Sequence, residues 1–221
     1  MSDARDACEL RVLPPGFAAD TSVFGAWFAL ACAMVAYSIT RIRVERMALQ
    51  HPARCPTLYD FGHEWLPRCS EYWVDIMCSG LAMIMLYLGA VAGLCELMRW
   101  GLLWMALGNA MSATLHSFTI IGDLQNAAGV AKSGAARSIA AGGFCDRLLS
   151  NHTYNAGIAM LAVEFQWGLP AWVAWLGCGT VGVAIVATRC HYTVDVVLAW
   201  WALASVRAYA VASCQLPPTL L

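Results

Sequence analysis

The stretch "RCHYTVDVVLAWW", residues 189–201, places a histidine and an aspartate at the start of a long apolar run. His191 and Asp195 are four residues apart, so on a helix their side chains point within ~40° of each other. A carboxylate there can hydrogen-bond one ring nitrogen, fix the tautomer and leave the other nitrogen as nucleophile or base. The alternative is an interfacial ion pair that merely tolerates its position. Because an aspartate inside a membrane span costs ~2.5–3.5 kcal/mol, we favour a functional pair.

A second stretch, "FCDRLLSNHTYNAG", carries another histidine at the start of an apolar run, His152. Its neighbours are small polar residues that suit a helix start and can hydrogen-bond an anion, namely Ser150, Asn151 and Thr153. Alone, such a histidine is more typical of a helix end that faces lipid headgroups. Together with His191, Asp195 and Arg189 it completes the parts of a phosphoryl-transfer site: nucleophile, orienting carboxylate, acid and phosphate-binding guanidinium.

The elements that must position these residues are long and apolar. Of the 221 residues, 60% are hydrophobic and 12% are charged, whereas soluble domains carry about 25% charged residues. This composition predicts an integral membrane protein. The net charge of −1 gives no reason to expect nucleic acid as a partner. Six apolar blocks can be marked in the sequence: 22–40, 74–97, 100–121, 151–167, 169–188 and 194–214.

We therefore predict an all-α, polytopic membrane helical bundle with six transmembrane helices. Residues 22–214 form the six-span catalytic membrane domain, between an N-terminal tail, 1–21, and a short C-terminal tail, 215–221. With six crossings, the polar connections before the second and fourth spans and the turn before the sixth fall on one membrane face. His152 and His191 then reach the same interface.

Other polar side chains have simpler interpretations. Glu164, near the end of the fourth block, can meet water or the headgroup region. His51 and His63 lie in a polar connection and are expected to be solvated. His116, inside the third block, is expected to be a hydrogen-bonded packing residue that could also line a cavity. The ten cysteines form no CxxC pair, so a zinc site is not expected.

The two histidine stretches carry a family resemblance. "HYTVDVVLAWW" resembles the last signature, H-Y-[ST]-x-D-V, of the sphingomyelin synthase-related family, which belongs to the lipid phosphate phosphatase clan. "CDRLLSNHT" resembles its partner signature, C-G-D-x-x-x-S-[GS]-H-T, with Asn151 in place of the small residue before the histidine. Upstream, "PTLYDFGHEWLP" resembles the family's P-L-P-D element, with Tyr59 replacing the second proline. The family's arginine-rich element is poorly kept.

The resemblance implies a lipid phosphate phosphatase-like core and a division of catalytic labour. His191 would attack the phosphorus of a phospholipid headgroup, and Asp195 would orient it. His152 would protonate the departing diacylglycerol oxygen and then accept the proton of ceramide's primary hydroxyl. No metal or soluble cofactor is implied, because a phosphohistidine stores the transferred group. Four further polar residues are candidates for binding the substrate: Asp60, Asp146, Ser150 and Arg189.

The implied partners are ceramide and a glycerophospholipid donor in the bilayer, with no nucleic acid. The donor headgroup (choline, ethanolamine or inositol) and the oligomeric state stay open. The resemblance implies a Golgi, ER or plasma membrane protein whose active site is lumenal or exoplasmic. Basic residues concentrate on the same face, and the positive-inside rule would place that face in the cytosol. A lipid phosphate phosphatase, a headgroup exchanger between diacylglycerols and a catalytically silent lipid-binding protein are the alternatives. The K-x6-R-P element typical of the phosphatases is absent.

Overall fold

The computed structural model describes residues 22–50, 59–90, 95–118, 149–189 and 191–214, and every regular element in them is an α-helix. The helices are α1 Val23–Gln50, α2 Phe61–Trp65, α3 Glu71–Ala90, α4 Cys95–Phe118, α5 Asn151–Trp167, α6 Ala171–Ala187 and α7 Thr193–Cys214. The predicted all-α class is confirmed for these residues. The six long helices lie on the six apolar blocks, and the short α2 lies in the polar connection between the first two.

The first helix is longer than its apolar block. The prediction ended the block at residue 40, whereas α1 continues to Gln50. The added residues are mostly good helix formers, and the next proline is Pro52, so nothing in the sequence stops the helix earlier. The polar connection between α1 and α3 is therefore shorter than predicted.

Two stretches of the described chain are long and apolar enough to cross a membrane, judged by length and composition. They are Val23–Val44 in α1 and Thr193–Ala212 in α7. The helix Ala171–Ala187 is apolar but shorter. A membrane-associated chain is consistent with these helices, and the full set of six crossings stays a prediction.

Helix α5 is the centre of the bundle, because it contacts α3, α4, α6 and α7. Its buried face carries small residues, which let neighbouring backbones approach closely. A side chain at Gly157 would place its Cβ 2.2 Å from Leu203 of α7. On the α4 side, the hydroxyl of Tyr154 donates to the carbonyl oxygen of Trp104 at 3.2 Å. These contacts fix α5 against the helices that pack around the candidate site.

A buried ion pair joins the far ends of α5 and α7. Glu164 is 4% exposed, and its Oε1 accepts from Nε and Nη2 of Arg207 at 2.9 and 2.7 Å. The expectation that Glu164 meets water or headgroups is therefore wrong. Glu164 lies twelve residues after His152, and Arg207 lies twelve residues after Asp195. The two helices run in the same direction, and along them the pair sits ~18 Å from His152 and Asp195.

Replacing Glu164 with leucine is expected to lower the free energy of unfolding by about 3–5 kcal/mol, because the guanidinium of Arg207, only 12% exposed, loses this carboxylate. The double replacement Glu164→Leu with Arg207→Met is expected to recover most of that loss, since it removes both charges. Thermal unfolding of the three proteins in the same detergent would measure this. A double variant no more stable than the single one would contradict a specific ion pair.

Candidate active site

The predicted pair of His191 and Asp195 is present at the start of α7. The ring Nδ1 lies 3.3 Å from Oδ2 of the carboxylate. The same oxygen accepts the backbone N–H of Tyr192 at 2.9 Å. Asp195 is fully buried and His191 is 4% exposed. A neutral imidazole that donates its Nδ1–H to the carboxylate keeps a lone pair on Nε2, which is the form a nucleophile needs.

The second histidine of the prediction lies beside the first. His152 is in the first turn of α5 and is exposed, and its ring centroid is 6.0 Å from that of His191, with the rings at 65°. The structure therefore brings the two histidines to one site, as the sequence predicted. A buried histidine with a carboxylate beside an exposed histidine fits a nucleophile and a separate acid–base group.

The two histidine segments are joined by Ser150, which is fully buried. Ser150 caps α5, and its Oγ accepts from the backbone N–H of Thr153 at 3.2 Å and from the Thr153 hydroxyl at 2.9 Å. Its own N–H donates to the carbonyl oxygen of Asp195 at 3.3 Å. Ser150 thus ties the start of α5 to the start of α7, and its predicted substrate contact stays a prediction. Asp146 lies outside the described residues.

The segment 59–70, called the strap below, lies against the turn that precedes α7. In the strap, Asp60 accepts hydrogen bonds from two helix starts. Its Oδ1 accepts from the N–H of His63 at 2.9 Å and from the hydroxyl of Thr193 at 2.8 Å, and its Oδ2 accepts from the N–H of Thr193 at 2.5 Å. Partial burial alone raises the pKa of Asp60, but the hydrogen bonds from Thr193 and His63 outweigh it and hold this pKa below its ordinary value of 3.8. At neutral pH the strap therefore presents a carboxylate to the positive end of α7.

Arg189 holds the other side of the strap. Its Nη2 donates to the carbonyl oxygen of Leu66 at 2.8 Å and its Nη1 to that of Gly62 at 3.4 Å. Arg189 also has a φ of 67°, a left-handed conformation that is uncommon for a residue with a side chain. Its contacts with the strap hold this strained turn in place. A guanidinium has five N–H donors, so Arg189 can hold the strap and still bind a phosphate. The phosphate contact stays a prediction.

His63 belongs to the site, although its sequence position did not predict this. Its Nε2 lies 2.8 Å from the carbonyl oxygen of His191, and its ring stacks on Tyr192 with centroids 5.4 Å apart. The expectation that His63 is solvated is wrong, and the resemblance of residues 56–67 to a family element was the one signal available.

His51 lies outside the described residues. His116 is buried, with Nδ1 2.5 Å from the carbonyl oxygen of Ser112, as expected of a packing residue.

The strap fits closely because residue 62 is glycine. An alanine there would place its Cβ 2.2 Å from Oγ1 of Thr193 and 2.8 Å from Cγ1 of Val186. Gly62→Ala is therefore expected to lift the strap from α7 and to speed trypsin cleavage after Arg68, which is exposed. Gly80→Ala is the matched control, since nothing lies within 4 Å of a Cβ at that position. Equal cleavage rates in the two variants would contradict the close fit.

Comparison with known families gives a match over part of the chain. Residues 145–212 match the model of the PAP2 superfamily C-terminal region. The matched segment contains both histidines and Asp195 and runs through α5, α6 and most of α7. This match is consistent with the lipid phosphate phosphatase clan and supports phosphatase or phosphotransferase chemistry on lipid phosphates. It does not reach the elements before residue 145, and it does not confirm the sphingomyelin synthase-related family. No curated protein and no solved structure gives a significant match.

Proposed function

We propose that this protein is a phosphosphingolipid synthase, which moves a phospho-headgroup from a glycerophospholipid to ceramide and releases diacylglycerol. The observation that supports it best is the buried His191–Asp195 pair, whose ring lies 6.0 Å from that of His152. The PAP2 match supports lipid phosphate chemistry in general. The donor and acceptor rest on the resemblance of the two histidine motifs to the sphingomyelin synthase-related family.

The first half of the reaction forms a phosphohistidine. Nε2 of His191 attacks the phosphorus of the donor, and the bond from phosphorus to the glycerol oxygen breaks. His152 donates a proton to that oxygen, so diacylglycerol leaves as a neutral alcohol. Asp195 accepts the hydrogen bond from Nδ1–H and stabilises the positive charge that develops on the ring.

The second half transfers the group to ceramide. The primary hydroxyl of ceramide gives its proton to His152, which is now the base, and its oxygen attacks the phosphorus. The phosphorus–nitrogen bond breaks, and the electron pair returns to Nε2 of His191. Both histidines then have the protonation states with which they began.

Burial of the nucleophile favours a transferase over the phosphatase alternative. His191 is 4% exposed, and the strap bonds the carbonyl oxygen of the same residue, so bulk water has poor access to this ring. A phosphohistidine that met water would be hydrolysed, whereas a lipid alcohol can approach from the bilayer. In the arrangement proposed here, the six long helices cross the membrane and both histidines face one interface, on the lumenal or exoplasmic side.

The test is transfer from each of three donors. Membranes that contain the protein would be incubated with labelled ceramide and a choline, ethanolamine or inositol phospholipid offered separately, and the lipids resolved by chromatography. A labelled phosphosphingolipid with one of these donors is expected. Phosphate release from a phosphatidate without any transfer would instead show a phosphatase. Exchange between labelled diacylglycerol and a phospholipid would show a headgroup exchanger, and no reaction at all would favour a silent lipid-binding protein.

A further inference from the structure

The backbone that carries the nucleophile is held by side chains over three consecutive residues. Inside the bundle, the carboxylate of Asp195 accepts the N–H of Tyr192 at 2.9 Å. From the strap, Asp60 accepts the N–H of Thr193 at 2.5 Å, and Nε2 of His63 lies 2.8 Å from the carbonyl oxygen of His191. The strap therefore supplies two of these three contacts.

The carbonyl group of His191 needs a partner from outside α7. Backbone hydrogen bonding at the start of α7 begins at the carbonyl oxygen of Tyr192. This oxygen accepts from the N–H of Asp195 at 3.1 Å and from the N–H of Val196 at 3.4 Å. The carbonyl of His191 lies one residue earlier, and the ring of His63 supplies its hydrogen bond. In this bond Nε2–H of His63 donates, and the stacked ring of Tyr192 holds the donor in place.

We propose that His63 is a positioning residue for His191. It fixes the backbone from which the nucleophilic ring projects and holds the strap against the start of α7. The carboxylate of Asp60 accepts the backbone N–H of His63 as well as that of Thr193. One carboxylate therefore positions both the residue that carries the donor ring and the start of α7. A displacement of about 1 Å at a reacting group can lower a rate by about 10²-fold. The contact is thus placed where a small loss of order would change turnover.

Two replacements separate the hydrogen bond from the aromatic contact. His63→Phe keeps a ring that can stack on Tyr192 but removes the donor. His63→Gln keeps an N–H donor of similar reach and removes the ring. Glu64→Gln is the matched control, because Glu64 is the next residue of the strap and is exposed. The carboxylate of Glu64 accepts from the hydroxyl of Tyr59, an exposed residue that is also in the strap. This hydrogen bond does not involve α7.

The first readout does not depend on enzymatic activity. Diethyl pyrocarbonate, applied to the full chain in lipid nanodiscs at low dose, modifies accessible imidazoles, and mass spectrometry gives the rate at each histidine. His152 is exposed in the structure and serves as the internal reference. His63→Phe is expected to raise the modification rate of His191 several-fold relative to His152. Glu64→Gln is expected to leave it unchanged.

The second readout is turnover, and it rests on the proposed function. His63→Phe is expected to lower kcat by about 10- to 100-fold with little change in KM, and His63→Gln is expected to restore most of that loss. Equal kcat in His63→Phe and wild type, or a loss that His63→Gln does not restore, would overturn the proposal. An unchanged footprint at His191 in His63→Phe would overturn it as well. If wild type transfers no headgroup from any donor, the proposed function fails, and the footprint alone decides whether His63 holds His191.

Discussion

Asp195→Asn is expected to lower the rate of headgroup transfer by about 10⁴, the size of the effect when the orienting aspartate of a serine protease is replaced in the same way. The asparagine oxygen can still accept from Tyr192 and from Nδ1–H of His191, which the carboxylate does at 2.9 and 3.3 Å. The negative charge that stabilises the charged ring is lost, and the amide can also turn its NH₂ group to Nδ1 and hold the ring in the wrong tautomer, which is the cause of the loss in the serine protease. Transfer rates for purified wild type and variant, in the same lipid mixture, would measure the effect.

Asp195→Ala is the control for structure in this experiment. Alanine leaves the buried N–H of Tyr192 without its acceptor, so it is expected to lower thermal stability as well as rate. Asp195→Asn is expected to unfold close to the wild-type temperature. A rate within tenfold of wild type for Asp195→Asn would contradict an electrostatic role for this carboxylate.

His152→Ala is expected to slow transfer by about 10²–10⁴, because general acid catalysis supplies roughly that factor. The defect should depend on the leaving group. A donor that releases a phenol needs little protonation as its oxygen departs, so this donor is expected to recover most of the rate at which the phosphohistidine forms. Rapid-quench measurement with both donors would give the two rates.

The matched control is His116→Ala, which removes a buried histidine that the mechanism does not use. It is expected to show the same relative rates for the two donors as wild type does. An equal loss with both donors in His152→Ala would contradict its role as the acid. In that case His152 would contribute through binding or local structure.

Much of this arrangement follows from the sequence by simple periodicity. The four-residue spacing of His191 and Asp195 was enough to predict their hydrogen bond, because neighbours on one helix face are set by helix geometry alone. The apolar blocks located the six long helices because each is a long run of apolar residues. Parity predicted that His152 would meet His191, and their rings do lie together.

Contacts between distant segments were harder to predict. The strap carries no repeating apolar pattern, so nothing local showed that His63 would bond the carbonyl of His191. The pair of Glu164 and Arg207 could have been found. Once the two histidine motifs are placed side by side on parallel helices, residues at equal distances from them lie at the same depth. Glu164 was predicted to meet water because its partner, Arg207, is 43 residues away in the chain and was not considered with it.

If His191 carries the phospho-headgroup between donor and acceptor, the phosphohistidine can be detected directly. The protein would be mixed with a labelled donor in the absence of ceramide, quenched at alkaline pH to preserve the phosphorus–nitrogen bond, and analysed by mass spectrometry. We expect the label on His191, its loss in His191→Ala, and its transfer to ceramide on a chase. Label on His152 with none on His191, or undiminished transfer by His191→Ala, would show that His191 is not the nucleophile.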